Sequence, residues 1–521
     1  MDPLTYLGTY DNNNIEFTHI SSVRVENIIS NLKCKPCKIN SIPVKAYKLV
    51  SHVISPIIAN LFNSSLIEGI FPKSFKTAET IPIHKSGSTN LLNNFRPITL
   101  SSVLSKIFEK LMREQLIDYL DNINFFIESQ FGFRKNLNTS DAINQFLEHC
   151  YKSLSNKNHT IALFLDLKKA FDSVDRSILL KKLFHIGIRG HHHKWLTSYL
   201  SDRKQYCTVR NENSDTIIMA HGVPQGTVLA PLLFLVYIND LAKCSRCLQF
   251  INFADDTTAF VSGNNIDNLY EVVNVEIDNI NRWLITNKLA MNETKTVYML
   301  ITHSRAEINN EIKISQHTLK RVNVAKFLGI FIDEKLTFKR HTEYICKKLS
   351  KSNGIIYRVS QYLPLHVLRI LYFSFILPYL NYCITTWGNC SLSHLNRVTS
   401  IQKRALKTIL RGNVHDTILT FHNLYKYNCL VNFYKAYRMG IPSFFHDSIV
   451  NLEPTHEHVT RRVGQNNINI PLYLKSRCQQ SFLFNACKFW NELPAHIKSI
   501  NELSKFQMKC KETLLNNQNY H

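Results

Sequence analysis

Asp255 and Asp256 stand side by side inside NFADDTTAF (Asn252–Phe260), a stretch whose other residues are apolar or β-prone. Adjacent carboxylates repel each other, so their placement asks for a cation. Two Mg²⁺ ions about 3.5–4 Å apart, held by carboxylates and phosphate oxygens, would supply it; such a pair activates an attacking hydroxyl and stabilises a leaving pyrophosphate. Asp166, at the end of the apolar run Ile161–Leu165, could join the pair if the two segments are neighbouring strands of one sheet. For the pair taken alone, an exposed Asp-Asp turn is the plainer alternative.

Other metal chemistry has thinner support. Cys34/Cys37 and Cys244/Cys247 are each Cys-x-x-Cys pairs, but more than two hundred residues separate them and neither has a closely spaced His partner. His191, His192 and His193 read as a polar loop entering a helix at Lys194. The thirteen cysteines are an odd number without regular spacing, which suggests reduced thiols rather than a disulfide framework.

The elements that must carry the carboxylates can be read from periodicity. Residues 46–72 are helical in spacing and end in Gly and Pro. TAETIPIHKSG reads as a short strand and turn, and FRPITLSSVLSKIFEKLMREQLIDYL as a loop before a long amphipathic helix. HTIALFLDLKKAFDSVD is a strand that ends at Asp166 and gives way to a helix start, and HGVPQGTVLAPLLFLVYINDL a Gly/Pro turn opening onto a buried helix. LQFINFADDTTAFVSG is a hairpin with the acidic pair at its joint. Helix is expected over about 265–289, strand at VYMLIT and KFLGIFID, and mostly helix from Thr342 onward. Strands and helices are mixed rather than alternating, which fits an α+β fold.

The chain has 521 residues, 45% of them hydrophobic, which is enough for a large core and excludes a disordered chain. Its formal net charge is +23, with pI near 9.4, so a polyanionic partner is expected, nucleic acid before an anionic membrane surface. The Asn-rich start lacks a secretory signal pattern and the apolar runs are too short to span a bilayer, so the expectation is an intracellular chain, nuclear or cytoplasmic, with no membrane partner. There are no internal repeats, and no phosphate loop of the Gly-x-x-x-x-Gly-Lys kind.

FLDLKKAFDSVD, GVPQGTVLAPLLF, FADD and NKLAMNETKT occur in this order and at these spacings, and together they resemble the reverse transcriptases of non-LTR (LINE-like) retrotransposons, especially jockey-type elements. Further matching segments are IPIHKSGSTNLLNNFRPITLSSVLSKIFEKLM, QFGFRKNLNTSDAI, KFLGIFID, IQKRALKTIL and FWNELP. The resemblance implies a right-hand polymerase: an N-terminal extension to 45, fingers at 46–160, a palm with an antiparallel sheet at 161–335 (the whole reverse transcriptase domain about 65–332), a helical thumb at 336–420 and a mostly helical C-terminal region at 421–521. It implies RNA-directed DNA polymerase activity, with an RNA template, a DNA primer and dNTPs as partners. Two Mg²⁺ ions, or Mn²⁺ in their place, are the implied cofactor.

Residue by residue, the resemblance makes Asp166, Asp255 and Asp256 the catalytic carboxylates and metal ligands, with the backbone carbonyl of Leu167 as a further ligand. Phe171 would place its ring beneath the sugar, where it clashes with a 2′-hydroxyl. Gln225 and Gly226 would line the incoming nucleotide, Gly222 and Pro224 would shape their turn, Lys85 and Arg96 would grip the triphosphate, and Lys295 would donate a proton to pyrophosphate. In LNRVTSIQKRALKTILRG, helical spacing puts Val398, Ile401, Ala405, Leu406 and Ile409 on one face and Lys403, Arg404, Lys407 and Arg411 toward the other. That basic face would track the template–primer backbone; a solvated surface is the alternative.

Three departures are visible. Too few residues precede the fingers for the endonuclease that related elements place there, so a polymerase without its own nicking domain is expected. In LKCKPCKINSIP, Cys37 or a neighbour falls where the family has a Gly, and Asn40 where it has an Asp. After the thumb there is no Cys/His cluster of the kind that carries a zinc knuckle. The competing readings are an inactive or co-opted nucleic-acid-binding relic of such an element and a mobile group II intron protein.

Overall fold

The computed structural model describes residues 2–10, 15, 18–34, 42–210, 212–304, 309–411, 418–453, 467–473 and 475–517. Cys37 and Asn40 lie outside them. The chain divides into two units, one of residues 1–133, 166–248 and 275–293, the other of 134–165, 249–274 and 294–521.

In the first unit the strand Thr77–His84 pairs antiparallel with Phe95–Leu100 and parallel with Lys204–Val209. Phe95–Leu100 is therefore a strand and not the loop expected. Its Pro97 is tolerated because the strand lies at the end of the sheet order, where a missing N–H costs no ladder bond on the open side. The long helix Val103–Asn122 follows, with Ser102 capping it by accepting from Ser105 N. Phe62, Phe71, Phe108, Trp195 and Tyr199 meet mostly edge to face beneath these elements. Gly69, at φ 70°, ends the helix Ser51–Glu68 with a left-handed cap, as the sequence indicated.

The helix Ala230–Ile238 is apolar on all sides and accordingly buried on all sides, Pro231 excepted. Beside it, Lys182 and Asp240 form a fully buried ion pair at 2.6 Å. His191–His193 belong to the helix Gly190–Leu200 and not to a loop; His192 is buried and its ring meets the Gln115 side chain at 3.1 Å. The stretch after Asp166 is a run of turns, and helix starts only at Arg176, where Asp175 accepts from Ile178 N as the cap.

The second unit is built on a five-stranded sheet in the order Lys320–Arg321, Val297–Ile301, His159–Leu165, Asp256–Gly263, Gln249–Phe253. The central strand His159–Leu165 is antiparallel to both neighbours. The helix Thr139–Ser155 covers the sheet, and its Phe146 meets Phe164, Phe260 and Phe327 edge-on. KFLGIFID is a hairpin of Val324–Phe327 with Ile330–Asp333. Downstream the unit is helical, with Lys339–Val359 packed on Leu392–Leu410 and Phe421–Met439 on Phe482–Glu492. The fully buried Glu148 ties the C-terminal segment to this core: it accepts from Tyr473 Oη at 2.9 Å and from Leu483 N at 2.8 Å. The whole is α+β with a helical C-terminal region. Among the described residues, no helix is long and apolar enough to cross a membrane, and the twelve described cysteines are free.

Candidate active site

The acidic pair sits where the hairpin signal put it. Phe253 pairs with Asp256, and Ala254 and Asp255 form the two-residue turn between them. Ala254 takes φ 59°, a left-handed conformation that costs an L-residue roughly 1 kcal/mol and is held by the strands on either side. Asp255 is half-buried and Asp256, the first residue of its strand, is exposed. One step below the turn, Asn252 lies opposite Thr257; both are buried, and neither the amide nor the hydroxyl has a hydrogen-bond partner among the described residues. In the next strand pair, Leu165 is the register partner of Thr257. Asp166 is the residue after Leu165, and Asp256 the residue before Thr257.

Within the first unit, Asp166 is gripped by a residue that the sequence reading missed. Its backbone carbonyl accepts from Asn292 N at 2.7 Å and its Oδ2 from Asn292 Nδ2 at 2.8 Å. Leu167 bridges Met291, and Lys168 N donates to the carbonyl of Ala290. NKLAMN thus runs antiparallel along the segment that begins with Asp166. Lys295 is exposed in the turn before Val297–Ile301.

The Pro-Gln-Gly turn is held from several directions, all in the first unit. Val223 N donates to Phe171 O and Gly222 N to Val174 O, both at 2.9 Å, while Gln225 O accepts from Thr99 N at 2.7 Å. A Cβ on Gly226 would come within 2.8 Å of the Thr99 carbonyl, and one on Gly222 within 2.8 Å of the Asp172 backbone, so only glycine fits either place. Phe171 stacks on Phe234 with centroids 4.4 Å apart, in a turn rather than at a helix start. Arg176 donates to three backbone carbonyls ahead of the turn, those of Met219, His221 and Gly222. Lys85 follows the strand Thr77–His84, Arg96 lies in Phe95–Leu100 opposite Ile83, and both are exposed.

Electrostatics distinguish the supporting groups. Burial pushes the Glu109 carboxyl up, against the pull of Arg203 and of the Leu229 and Val228 N–H groups. Burial would also raise Asp175, but hydrogen bonds from Lys288, Ser177 and Ile178 hold it well below the usual carboxylate range. Asp166, Asp255 and Asp256 offer only carboxylate oxygens, a donor set suited to a hard divalent cation rather than a thiolate-seeking one. Among the described residues, no group of three or more His, Cys, Asp or Glu side chains is already gathered to hold an ion.

In the second unit, Val398, Ile401, Ala405, Leu406 and Ile409 are buried on one face of Leu392–Leu410, as the spacing required. A cavity of about 1030 Å³ lies between this helix and Lys339–Val359, lined by Lys347, Lys348, Lys351, Arg397 and Arg404, with Glu343 the one acid among its described lining residues. Arg411 is engaged elsewhere, donating to the carbonyls of Ser360 and Leu363.

Residues 83–332 match the family described as reverse transcriptase (RNA-dependent DNA polymerase). The chain is 29% identical over 432 residues to a probable RNA-directed DNA polymerase from transposon BS of Drosophila melanogaster, across 78% of this chain and 47% of the relative. It is 26% identical over 420 residues to the RNA-directed DNA polymerase from mobile element jockey of the same organism, across 78% and 45%. The chain thus spans about half the length of the curated relatives it matches. Among solved structures, apo telomerase from Candida tropicalis aligns with TM-score 0.39 and 14% identity over 70% of this chain and 65% of that one.

Proposed function

We propose that this chain, whose residues 83–332 are a reverse transcriptase domain related to those of jockey-type non-LTR retrotransposons, is an RNA-directed DNA polymerase that adds dNTPs to a primer 3′-hydroxyl on an RNA template. The observation that carries the reading is the register of the central sheet. The Leu165–Thr257 pair ends one residue short of both Asp166 and Asp256, which supports their sharing one site with Asp255.

In this reading Asp166, Asp255, Asp256 and the carbonyl of Leu167 hold two Mg²⁺ ions, with Mn²⁺ as the substitute. Bound there, the ions supply activation of the primer hydroxyl and charge stabilisation of the leaving pyrophosphate. Asn292 orients the Asp166 carboxylate through its amide. Phe171, fixed by its stack on Phe234, presents a rigid wall to the sugar, and Gln225 and Gly226 bring backbone and amide close to the nucleotide. Lys85 and Arg96 attract the triphosphate, and Lys295 donates the proton that pyrophosphate needs as it departs. The segments divide as fingers 46–160, palm 161–335, thumb 336–420 and C-terminal region 421–521. The basic groove lined by Lys347, Lys351, Arg397 and Arg404 is suited to phosphate backbones, and Lys403 and Lys407, exposed on the same helix as Arg404, carry further positive charge; contacts of this kind give affinity without sequence preference.

Purified protein with oligo(dT)-primed poly(rA), dTTP and Mg²⁺ is expected to incorporate label, and an Asp255→Ala, Asp256→Ala double variant to lose it. Equal incorporation by the two proteins overturns the reading. Salt-sensitive binding to an RNA/DNA hybrid without extension by the wild type would instead favour the nucleic-acid-binding relic.

A further inference from the structure

The geometry points to Asp172 as a positioning residue that sets the orientation of the Gln225 amide and thereby the enzyme's selectivity for the sugar of the incoming nucleotide. This deepens the proposed function and rests on it.

Gln225 Nε2 lies 3.1 Å from Asp172 Oδ1. An ionised carboxylate only accepts hydrogen bonds, so it can hold the NH₂ branch of the amide and not the carbonyl branch. An unconstrained glutamine amide turns freely between two orientations that differ in which atom faces the ligand. Asp172 removes that freedom: with NH₂ drawn to the carboxylate, Oε1 is left on the other branch as an acceptor. An acceptor at this position reads a donor on the nucleotide. The donors on base edges differ from one base to the next, and triphosphate oxygens accept. The donor common to all four deoxynucleotides is the single hydroxyl of the sugar.

The backbone ties the two residues further. Phe171 O and Val174 O, on either side of Asp172, accept from Val223 and Gly222, and Gly222 has no room for a side chain because the Asp172 backbone occupies it. The residue proposed to exclude a 2′-hydroxyl, Phe171, is therefore chain neighbour to the residue that orients Gln225. Burial pushes the Asp172 carboxyl up, while Gln225 and Lys169 act to keep it ionised.

The test uses the full chain in primer extension, with steady-state constants for dTTP and inhibition by its 2′,3′-dideoxy analogue. Asp172→Asn, nearly the same shape but able to donate as well as accept, is expected to raise KM for dTTP about tenfold, with kcat within about threefold, and to weaken discrimination against the dideoxy analogue by a similar factor, since one hydrogen bond is at stake. Asp172→Ala gives the same pattern if its fold is kept. The decisive comparison is in a Gln225→Ala background, where Asp172→Asn adds nothing further. Wild-type extension with an Asp172→Asn enzyme that matches it, or with losses that multiply in the double variant, overturns the inference and leaves the polymerase reading standing. A wild type that extends nothing overturns that reading, and the inference with it.

Discussion

Glu109, buried in the helix Val103–Asn122, accepts the backbone N–H of Val228 at 2.7 Å. It also accepts from Leu229 N at 3.2 Å and from Ser105 Oγ at 3.1 Å. One carboxylate thus satisfies N–H groups at the start of the buried helix Ala230–Ile238, directly after the Pro-Gln-Gly turn, where a helix has donors to spare and favours negative charge. Glu109→Gln keeps an acceptor oxygen and is expected to lower Tm by a few degrees. Glu109→Ala takes the acceptor from the part-buried Val228 N–H and the buried Leu229 N–H, at about 1–3 kcal/mol for the buried one, and opens a cavity. Thermal unfolding that fails to separate the two variants would remove Glu109 from the turn's support.

Asn292 supplies a second prediction. Its amide donates to Asp166 Oδ2 and its backbone N–H to Asp166 O. A hydrogen bond to a charged group is worth about 1.5–3 kcal/mol, so Asn292→Ala is expected to reduce kcat roughly ten- to hundredfold with little change in KM for dNTP. Asn292→Asp sets a second carboxylate against Asp166 and is expected to shift the acidic limb of the pH–rate profile upward. Unchanged activity in both variants would limit Asn292 to a structural role.

The difference between Glu109 and Asn292 shows what sequence could and could not convey. Glu109 carried a signal that went unread: Ser105, Glu109, Met112 and Leu116 share one helical face that is otherwise small or apolar, and a charge in such a stripe needs a partner. Asn292 and Asp172 gave no such signal, because their roles exist only through contacts with residues 126 and 53 positions away. The hairpin at Asp255 and the buried helix Ala230–Ile238 were readable because local pattern and tertiary burial agree there. Where they disagree, the reading slipped. Pro97 disguised an edge strand, and three consecutive histidines disguised a helix turn whose middle member is buried. The turns after Asp166, with Lys169 at φ 46°, delayed the helix until Asp175 could cap it.

His341 sets a pH dependence. It is 1% exposed, both ring nitrogens lack hydrogen-bond partners among the described residues, and it packs on the rings of Trp387 and Tyr344. Burial lowers its pKa from 6.5 to about 4. The unfolded chain therefore binds the proton more tightly, so the stabilisation is fully present above pH 6.5 and is lost as pH falls toward 4. From pH 7.5 to pH 5 this amounts to about 2 kcal/mol. His149 and His192, also lowered to about 4 by burial, act in the same direction; Asp141, raised to about 6 by burial, acts oppositely. Subtracting them out is simple, since His341→Leu changes one group only. Its Tm relative to wild type is expected to rise as pH falls from 7.5 to 5, and a constant difference across that range would show that His341 is not neutral in the fold.

Arg404 and Arg411 lie on the same basic segment yet should fail differently when removed. Arg404 lines the groove between Lys339–Val359 and Leu392–Leu410. Arg411 is instead bound to its own chain: at φ 48° it ends the helix, and its guanidinium donates to the carbonyls of Ser360 and Leu363 at 3.0 and 3.1 Å, closing the turn after the first helix onto the end of the second. A cation that neutralises a phosphate releases a counterion, so its loss reduces the slope of log Kobs against log salt by about 0.9 for a B-form duplex. Arg404→Ala is expected to weaken binding of an RNA/DNA hybrid equally for all sequences, to flatten that slope by nearly one unit and to leave Tm within about a degree. Arg411→Ala is expected to keep the slope and lower Tm modestly, because two carbonyls lose a donor held in exposed hydrogen bonds worth roughly 0.5–1 kcal/mol each. Lys403 and Lys407 variants, measured beside them, calibrate the slope per charge. Equal slopes for Arg404→Ala and wild type would place the nucleic acid away from this groove, and a flattened slope for Arg411→Ala would mean that its backbone contacts give way when the duplex binds.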